Sequence, residues 1–268
     1  MGRLDVELVK RGLFDSRSKA KEAILTGHIC CDGKLVQKVS SIVSDETELS
    51  IRGSLMPYVS RGGLKLEQAI RVFGIDFSGK TLLDIGSSTG GFTDCALQHG
   101  AKHVLAIDVG TDQMVECLRK DPRVTLLEQT DFRTIDAKRL SEATIASIDV
   151  SFISTERLLP KLQELSNLQE IVCLIKPQFE CGKEIADQYK GIVLNQEIHL
   201  TILHQVIRNF QTIGFTGCQV TYSPIRGGNG NIEYVAYFTK TQHVPNRKVL
   251  EQLIHEAFYQ TRNGNHSL

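Results

Sequence analysis

Two periodicities alternate along the chain. Apolar positions near the start fall at Leu4, Leu8, Val9 and Phe14, a helical spacing that predicts an amphipathic helix ending near Gly12. Ser16 stands where it can cap a second helix over SRSKAKEAILTG, closed by Gly27. HICCDGKLVQ then reads as two short strands around Asp32-Gly33, a dipeptide suited to a type I′ turn, and ETELSIR as a further strand. The stretch RGSLMPYVSRGGLKL, broken by Gly53, Pro57 and the Gly62-Gly63 pair, marks a boundary. It divides a small α+β unit over residues 1–52 and a linker at 53–60 from a larger unit over 61–260.

From Thr81 onward the pattern becomes short apolar runs separated by polar, glycine-punctuated segments. TLLDIG reads as a buried strand, Phe92 to His99 as an amphipathic helix stopped by Gly100, and HVLAIDVG as a second buried strand ending at Asp108. Strand, helix and strand within about 30 residues imply a parallel βαβ unit with a right-handed crossover. DPRVTLLEQTDFRTI, ATIASIDVSFIS and IVCLIKPQFE add a third, fourth and fifth strand. EIHLTILHQVIRNFQTIG reads as a helix, TGCQVTYSP and NIEYVAYF as two last strands, and Arg247 to Phe258 as an amphipathic helix that packs on the sheet. TRNGNHSL, residues 261–268, is expected to be disordered. The fold class is α/β, a doubly wound sheet behind a small N-terminal α+β unit.

Composition leaves this picture unchanged, but charge adds to it. The net charge is zero, from 31 basic and 31 acidic side chains, so affinity for nucleic acid has to come from local patches. One such patch lies in the first unit. Residues 1–38 hold eight basic side chains (Arg3, Lys10, Arg11, Arg17, Lys19, Lys21, Lys34, Lys38) against five acidic ones. Arg17, Lys19 and Lys21 cluster at the start of the second helix, where backbone amides also favour phosphate. The seven cysteines form no C-x-x-C pair and no zinc spacing, so no metal centre is expected and free thiols suit a reducing cytoplasm. MGRLDVELVK has no apolar core of a secretory signal, and no apolar run approaches the roughly 18 residues of a membrane span. A cytoplasmic protein with no membrane partner is the expectation.

The first unit, through R-L-D, L-V-x-R-G-L-F-x-S-R-S-x-A-K-E-A-I and G-H-I-x-x-D-G-K, resembles the S4 RNA-binding domain. The resemblance implies a basic surface presented to folded RNA, with Arg3, Arg11, Arg17, Lys19 and Lys21 touching it.

The candidate chemistry sits at strand ends, where open α/β sheets bind ligands. The turn after the first strand of the larger unit reads D-x-G-x-x-x-G-G-F, which is not the G-x-G-x-x-G of a nicotinamide fold. It resembles motif I of class I (Rossmann-like) S-adenosylmethionine-dependent methyltransferases. That likeness implies that Asp84, Gly86, Ser88, Gly90, Gly91 and Phe92 surround adenosylmethionine, that Asp108 accepts the ribose hydroxyls, and that Asp131 meets the adenine edge. Asp149 and Lys176 end the fourth and fifth strands, Lys65 precedes the first, and Glu233 opens the last.

These four match the K-D-K-E tetrad of FtsJ-like ribose 2′-O-methyltransferases. The flanking motifs VSRGGLKL, DIGSSTGGFTD, DVSFIS, LIKPQFE and GNIEY, behind an S4-like unit, resemble the TlyA family of hemolysin A-like rRNA methyltransferases. The resemblance spans nearly the whole chain. It implies methylation of a ribose 2′-hydroxyl, that of a cytidine, in ribosomal RNA or a ribosomal subunit. Burial and a neighbouring cationic Lys65 favour a neutral Lys176 that takes the hydroxyl proton, whereas Asp149 and Glu233 favour a charged one that orients the hydroxyl; both roles stay open. Relatives carry a short aromatic-containing linker, which reads Met56-Pro57-Tyr58-Val59 here. The segment PQFECGKEIADQYKGIVLNQE lacks regular periodicity and is long for a connection, as a substrate-facing loop would be.

Two other function classes compete with the enzyme. A non-catalytic ribosome-assembly factor has no need of four converging ionisable residues. A membrane-active hemolysin is opposed by the absence of a span or a long cationic amphipathic helix in the sequence.

Overall fold

The computed structural model describes residues 1–14, 16–25, 27–52, 56–241 and 243–263, with side chains through residue 259. The chain forms two compact units, one within Met1–Pro57 and one from Tyr58 onward. Gly53 to Leu55 of the predicted linker and residues 264–268 of the predicted tail lie outside the described residues.

In the first unit β1 (Gly2–Arg3) leads into α1 (Leu4–Lys10), followed by α2 (Arg17–Leu25), β2 (Ile29–Cys31), β3 (Lys34–Leu35), β4 (Ile42–Val43) and β5 (Leu49–Ile51). Strands β3, β2 and β5 form an antiparallel sheet, with Asp32 at φ 49° and Gly33 at φ 72° in the connecting turn, as a type I′ geometry requires. Strands β1 and β4, two residues each, make a second small ribbon that residue periodicity is too short to reveal. Leu4, Leu8, Ile24, Ile29 and Val43 close a core of their own.

The second unit begins with α3 (Gly62–Phe73), a helix that residue periodicity leaves unassigned, and continues with β6 (Thr81–Ile85), α4 (Gly91–Gln98), β7 (His103–Ile107), α5 (Glu116–Arg119), β8 (Val124–Leu127) and β9 (Ile145–Ile148). It ends with α6 (Leu159–Gln163), β10 (Glu170–Ile175), α7 (Pro177–Glu180), α8 (Lys183–Gln188), α9 (Gln196–Thr212), β11 (Gly217–Tyr222), β12 (Tyr234–Thr239) and α10 (Arg247–Asn263). The sheet order is β11-β12-β10-β9-β6-β7-β8. Its five consecutive strands from β10 to β8 are parallel, and β12 runs antiparallel to both β10 and β11.

Alternate strand residues feed opposite cores. Leu82, Val104, Val172 and Leu174 pack with Leu66 and Ala69 of α3 and Cys95 and Ala96 of α4. Leu83, Leu105, Ile171 and Cys173 pack with Leu203 and Phe210 of α9 and Leu250 and Ile254 of α10. Both faces are covered, which is why these strands read as nearly continuous apolar runs.

Two expectations need correction. The segment after Lys176 is not structureless: α7 starts with Pro177 at its first turn, a position where the missing N–H is harmless, and α8 follows. The last helix runs through Asn263, three residues into the stretch expected to be disordered, because no Gly or Pro interrupts the chain before Gly264.

Candidate active site

The order 3-2-1-4 of the parallel strands reverses between β6 and β9, and ligands in such sheets bind beyond the strand ends at that reversal. The glycine loop after β6 lies there. Gly86 has φ 85°, and a Cβ on it would stand 2.5 Å from the Asp149 carbonyl oxygen, so only glycine lets the loop lie against the end of β9. The loop borders a cleft of about 260 Å³ whose lining includes Gly86, Ser88, Gly91, Phe92, Lys65 and Asp149. Ser87 lines it too, and its buried hydroxyl has no hydrogen-bond partner. The cradle thus offers both space and unmet hydrogen-bonding capacity to a ligand.

Asp84, Gly90, Asp108 and Asp131, also expected around a cofactor, are not among the residues that line this cleft. Asp84 is fully buried and accepts hydrogen bonds from Thr93 Oγ1 at 2.6 Å and Ser147 Oγ at 2.7 Å, so it braces β6 against α4 and β9. Burial pushes its carboxyl up to about 6, against the pull of those two hydroxyls. Gly90, at φ 95°, packs against Leu118. Asp108 accepts from the backbone N–H of Ser88 at 2.8 Å and of Gly110 at 2.7 Å, which fixes the carboxylate just past the end of β7. Asp131 is gripped by the Arg133 guanidinium, which holds its carboxyl below the usual range.

The tetrad comes from four elements: Lys65 from α3, Asp149 from the end of β9, Lys176 from the end of β10 and Glu233 from the start of β12. They form two ion pairs. Lys176 Nζ lies 2.6 Å from Asp149 Oδ1 and donates to Ser151 Oγ at 3.0 Å; Lys65 Nζ lies 2.6 Å from Glu233 Oε2. Lys65, Lys176 and Glu233 are all buried, so each charge is held in place by its partner. The Gly227 backbone lies so close to the Glu233 carboxylate that a side chain there would collide with it.

A second cavity of about 760 Å³ shares Lys65 with the first and is also lined by Lys176, Glu233, Phe152 and Phe179. Phe152 was missed in the sequence. It is 91% exposed, sits at φ 65°, and meets Phe179 with ring centroids 5.0 Å apart. Glu180 holds this arrangement by accepting from Ser154 Oγ at 2.6 Å and the Thr155 N–H at 2.9 Å. An aromatic residue shortly after a strand-end acid is a signal that apolar periodicity passes over.

The basic residues of the first unit divide into two groups. Arg11 donates to the carbonyls of Thr47 at 2.6 Å and Ser44 at 2.7 Å, so its guanidinium secures a loop. Arg3 and Arg17 pair with the buried Asp5 at 2.9 and 2.7 Å. Lys19 and Lys21 are exposed on α2. Among the described residues no helix is long and apolar enough to cross a membrane, and no cluster of three or more His, Cys, Asp or Glu is arranged to hold a metal.

Comparison with known proteins agrees with this architecture. Residues 58–240 match the FtsJ-like methyltransferase family and residues 2–49 the S4 domain. The 16S/23S rRNA (cytidine-2′-O)-methyltransferase TlyA of Mycobacterium tuberculosis is 39% identical over 259 residues, covering 95% of this chain and 96% of that protein. A Brachyspira hyodysenteriae protein named Hemolysin A is 42% identical over 240 residues, covering 88% and 99%. A solved structure from Streptococcus thermophilus that carries a hemolysin name superimposes with a TM-score of 0.76 at 39% identity, covering 99% of this chain and 98% of that one. The chain belongs to the FtsJ-like methyltransferases, in the TlyA (hemolysin A-like) family with an N-terminal S4 domain.

Proposed function

We propose that the protein methylates a ribose 2′-hydroxyl, that of a cytidine, in ribosomal RNA, with S-adenosylmethionine as donor. The carrying observation is the Lys176–Asp149 pair, 2.6 Å apart, where the glycine-loop cleft and the phenylalanine-lined cavity meet. Gly86, Ser88, Gly91 and Phe92 fit the cofactor as a cradle, with Asp108 available to its ribose and Asp131 to its adenine edge; Asp84 and Gly90 shape that cradle from behind. The bound cofactor supplies an activated methyl group on a cationic sulfur.

The chain's own residues then have three tasks. Phe152 and Phe179 offer an exposed face on which a nucleotide base stacks, an interaction that tolerates any base and suits RNA presented as an unpaired residue. Lys176, held by Asp149 and Ser151, orients the hydroxyl oxygen toward the methyl group. As the methyl–sulfur bond breaks and the new O–C bond forms, the hydroxyl proton would pass to the Lys176–Asp149 pair, and Lys65, held by Glu233, would stabilise the charge on oxygen. The S4 domain supplies RNA affinity through Lys19 and Lys21, with Arg3 and Arg17 beside them, and Arg11 stabilises the domain. The cytidine specificity follows that of the mycobacterial relative.

The test is transfer of labelled methyl from adenosylmethionine to unmodified ribosomal RNA and to ribosomal subunits, followed by mapping of ribose methylation. Label on a cytidine 2′-oxygen is the expected result. Label on a base, or none with either substrate, would refute the reading.

A further inference from the structure

The loop that follows β9 is tied to α7 and to the residue just before it. Near the start of the loop, Ser151 Oγ accepts a hydrogen bond from Lys176 Nζ at 3.0 Å. At its far end the Glu180 carboxylate accepts two bonds, from the Ser154 hydroxyl at 2.6 Å on Oε2 and from the Thr155 N–H at 2.9 Å on Oε1. Between these ties the Phe152 and Phe179 rings meet, 5.0 Å apart and tilted by 49°. Phe179 in turn lies beneath Lys176, whose Nζ stands 5.9 Å from the ring centroid. Lys176 flanks α7 at one end and Glu180 closes it at the other, so one helical turn carries both the reacting lysine and the clip.

Stability does not account for this junction. Phe152 sits at φ 65°, a conformation that is costly for a residue other than glycine, and its ring is 91% exposed, so no burial offsets the cost. Two buried oxygens of the same segments, Thr155 Oγ1 and Gln178 Oε1, have no hydrogen-bond partner. Strain and unmet hydrogen bonds persist only where surrounding contacts over-determine the geometry, and they cluster at functional sites. Here the two bonds to Glu180 supply that constraint. Glu180 lines neither cavity, so it reaches the RNA side of the site only through the loop that it holds.

We infer that Glu180 is a positioning residue for methyl transfer: through Ser154 and the Thr155 N–H it fixes the Phe152 ring at the height where a stacked base presents its ribose to Lys176. The inference rests on the base-stacking reading given above and adds to it the residue that sets the platform. The carboxylate acts by accepting, and a carboxamide can stand in for it, because the Ser154 hydroxyl can turn to accept from Nε2 while Oε1 keeps the Thr155 N–H.

The experiment is single-turnover methylation of unmodified ribosomal RNA at subsaturating RNA, with adenosylhomocysteine calorimetry on the same full-length proteins. Glu180→Ala should lower methylation efficiency about tenfold or more, the size of one charge-assisted hydrogen bond, while the adenosylhomocysteine Kd changes less than about twofold. Glu180→Gln should keep most of the efficiency. Phe152→Ala should lose at least as much as Glu180→Ala, and the double variant should match Phe152→Ala within about twofold, because the clip then has no ring to position. Losses that multiply in the double variant, an equal loss in Glu180→Gln and Glu180→Ala, or unchanged efficiency in Glu180→Ala would each overturn the positioning role. Should Glu180→Ala lose adenosylhomocysteine binding too, the fold is at fault and Ser154→Ala, which removes one of the two bonds from the loop side, takes its place under the same criteria. Near-normal efficiency in Phe152→Ala overturns the base platform and the inference with it. Absence of methyl transfer by the unmodified protein overturns the proposed function itself, and the inference along with it.

Discussion

Lys65 Nζ and Glu233 Oε2 lie 2.6 Å apart although 168 residues separate them in the chain. One comes from the first helix of the catalytic unit and the other from the entrance to β12, so the pair forms only when the whole sheet has been assembled. Removing one partner strands a buried charge. Lys65→Met or Glu233→Leu alone should therefore lower stability by about 3–5 kcal/mol, while the double variant should recover most of that loss, since two apolar side chains replace the pair. Methyl transfer should stay lost in all three. Denaturant midpoints of the four proteins check this; additive losses in the double variant would mean that the two residues are not coupled.

Lys176→Ala should abolish methyl transfer and leave adenosylhomocysteine affinity within about twofold, since the residue acts on the RNA hydroxyl and not on the cofactor. Asp149, its partner, is partly exposed and tolerates the loss better than a fully buried acid does. Single-turnover methylation alongside calorimetry separates the two effects. Near-normal turnover in Lys176→Ala would show that the tetrad has been misassigned.

Asp108 already accepts two backbone N–H bonds and keeps lone pairs for ligand hydroxyls. Asp108→Ala should weaken adenosylhomocysteine by roughly 1.5–3 kcal/mol for each charge-assisted bond removed, and should loosen the Ser88 and Gly110 loops that the carboxylate now ties together. An unchanged Kd would remove Asp108 from the cofactor site.

The strands were legible in the sequence because both faces of the sheet are buried, which gives β6, β7, β9 and β10 their unbroken apolar runs. Strand-end positions made Asp149 and Lys176 visible as chemistry. Three things were not legible. Helix α3 starts behind two glycines, so its amphipathic face was masked by a boundary signal. Phe152 stands at a left-handed φ in a loop, outside any periodicity. The partners of Arg11 and Arg17 were not legible either, because sequence gives charge alone; Ser44, Thr47 and Asp5 are supplied only by the fold.

Two buried titratable groups should give the protein opposing pH dependences. Burial pushes Asp84 up to about 6, so between about pH 4 and 6 the folded form holds a proton that the unfolded chain has lost, and stability falls as pH rises through that window. Burial pushes His199 down to about 4; it donates from Nε2 to the Val193 carbonyl at 2.9 Å and accepts the Tyr234 hydroxyl at Nδ1, 2.8 Å away. Between about pH 6.5 and 4 the unfolded chain gains a proton that folded His199 refuses, so stability falls as pH drops. Each effect is of order 3 kcal/mol across its window. Asp84→Asn should steepen the acid loss, and His199→Gln should flatten or invert it. Urea midpoints at pH 4.5, 5.5 and 7 decide; parallel profiles for all three proteins would contradict both assignments.

The division of labour in the S4 domain makes the last prediction. Arg17, Lys19 and Lys21 are all exposed along α2, yet the Arg17 guanidinium lies 2.7 Å from the buried Asp5. Charge reversal should therefore separate the three. Lys19→Glu/Lys21→Glu should leave the domain folded, weaken ribosomal RNA binding and lower the magnitude of the log Kd against log salt slope by about 0.9 for each phosphate no longer neutralised. Arg17→Glu sets a second carboxylate against Asp5 and should lower the stability of the domain before it reports on RNA at all. Adenosylhomocysteine affinity should be unchanged in the lysine pair, because no tetrad or cradle residue belongs to this domain. A salt slope equal to that of the unmodified protein in Lys19→Glu/Lys21→Glu would move the RNA footprint off this face of α2.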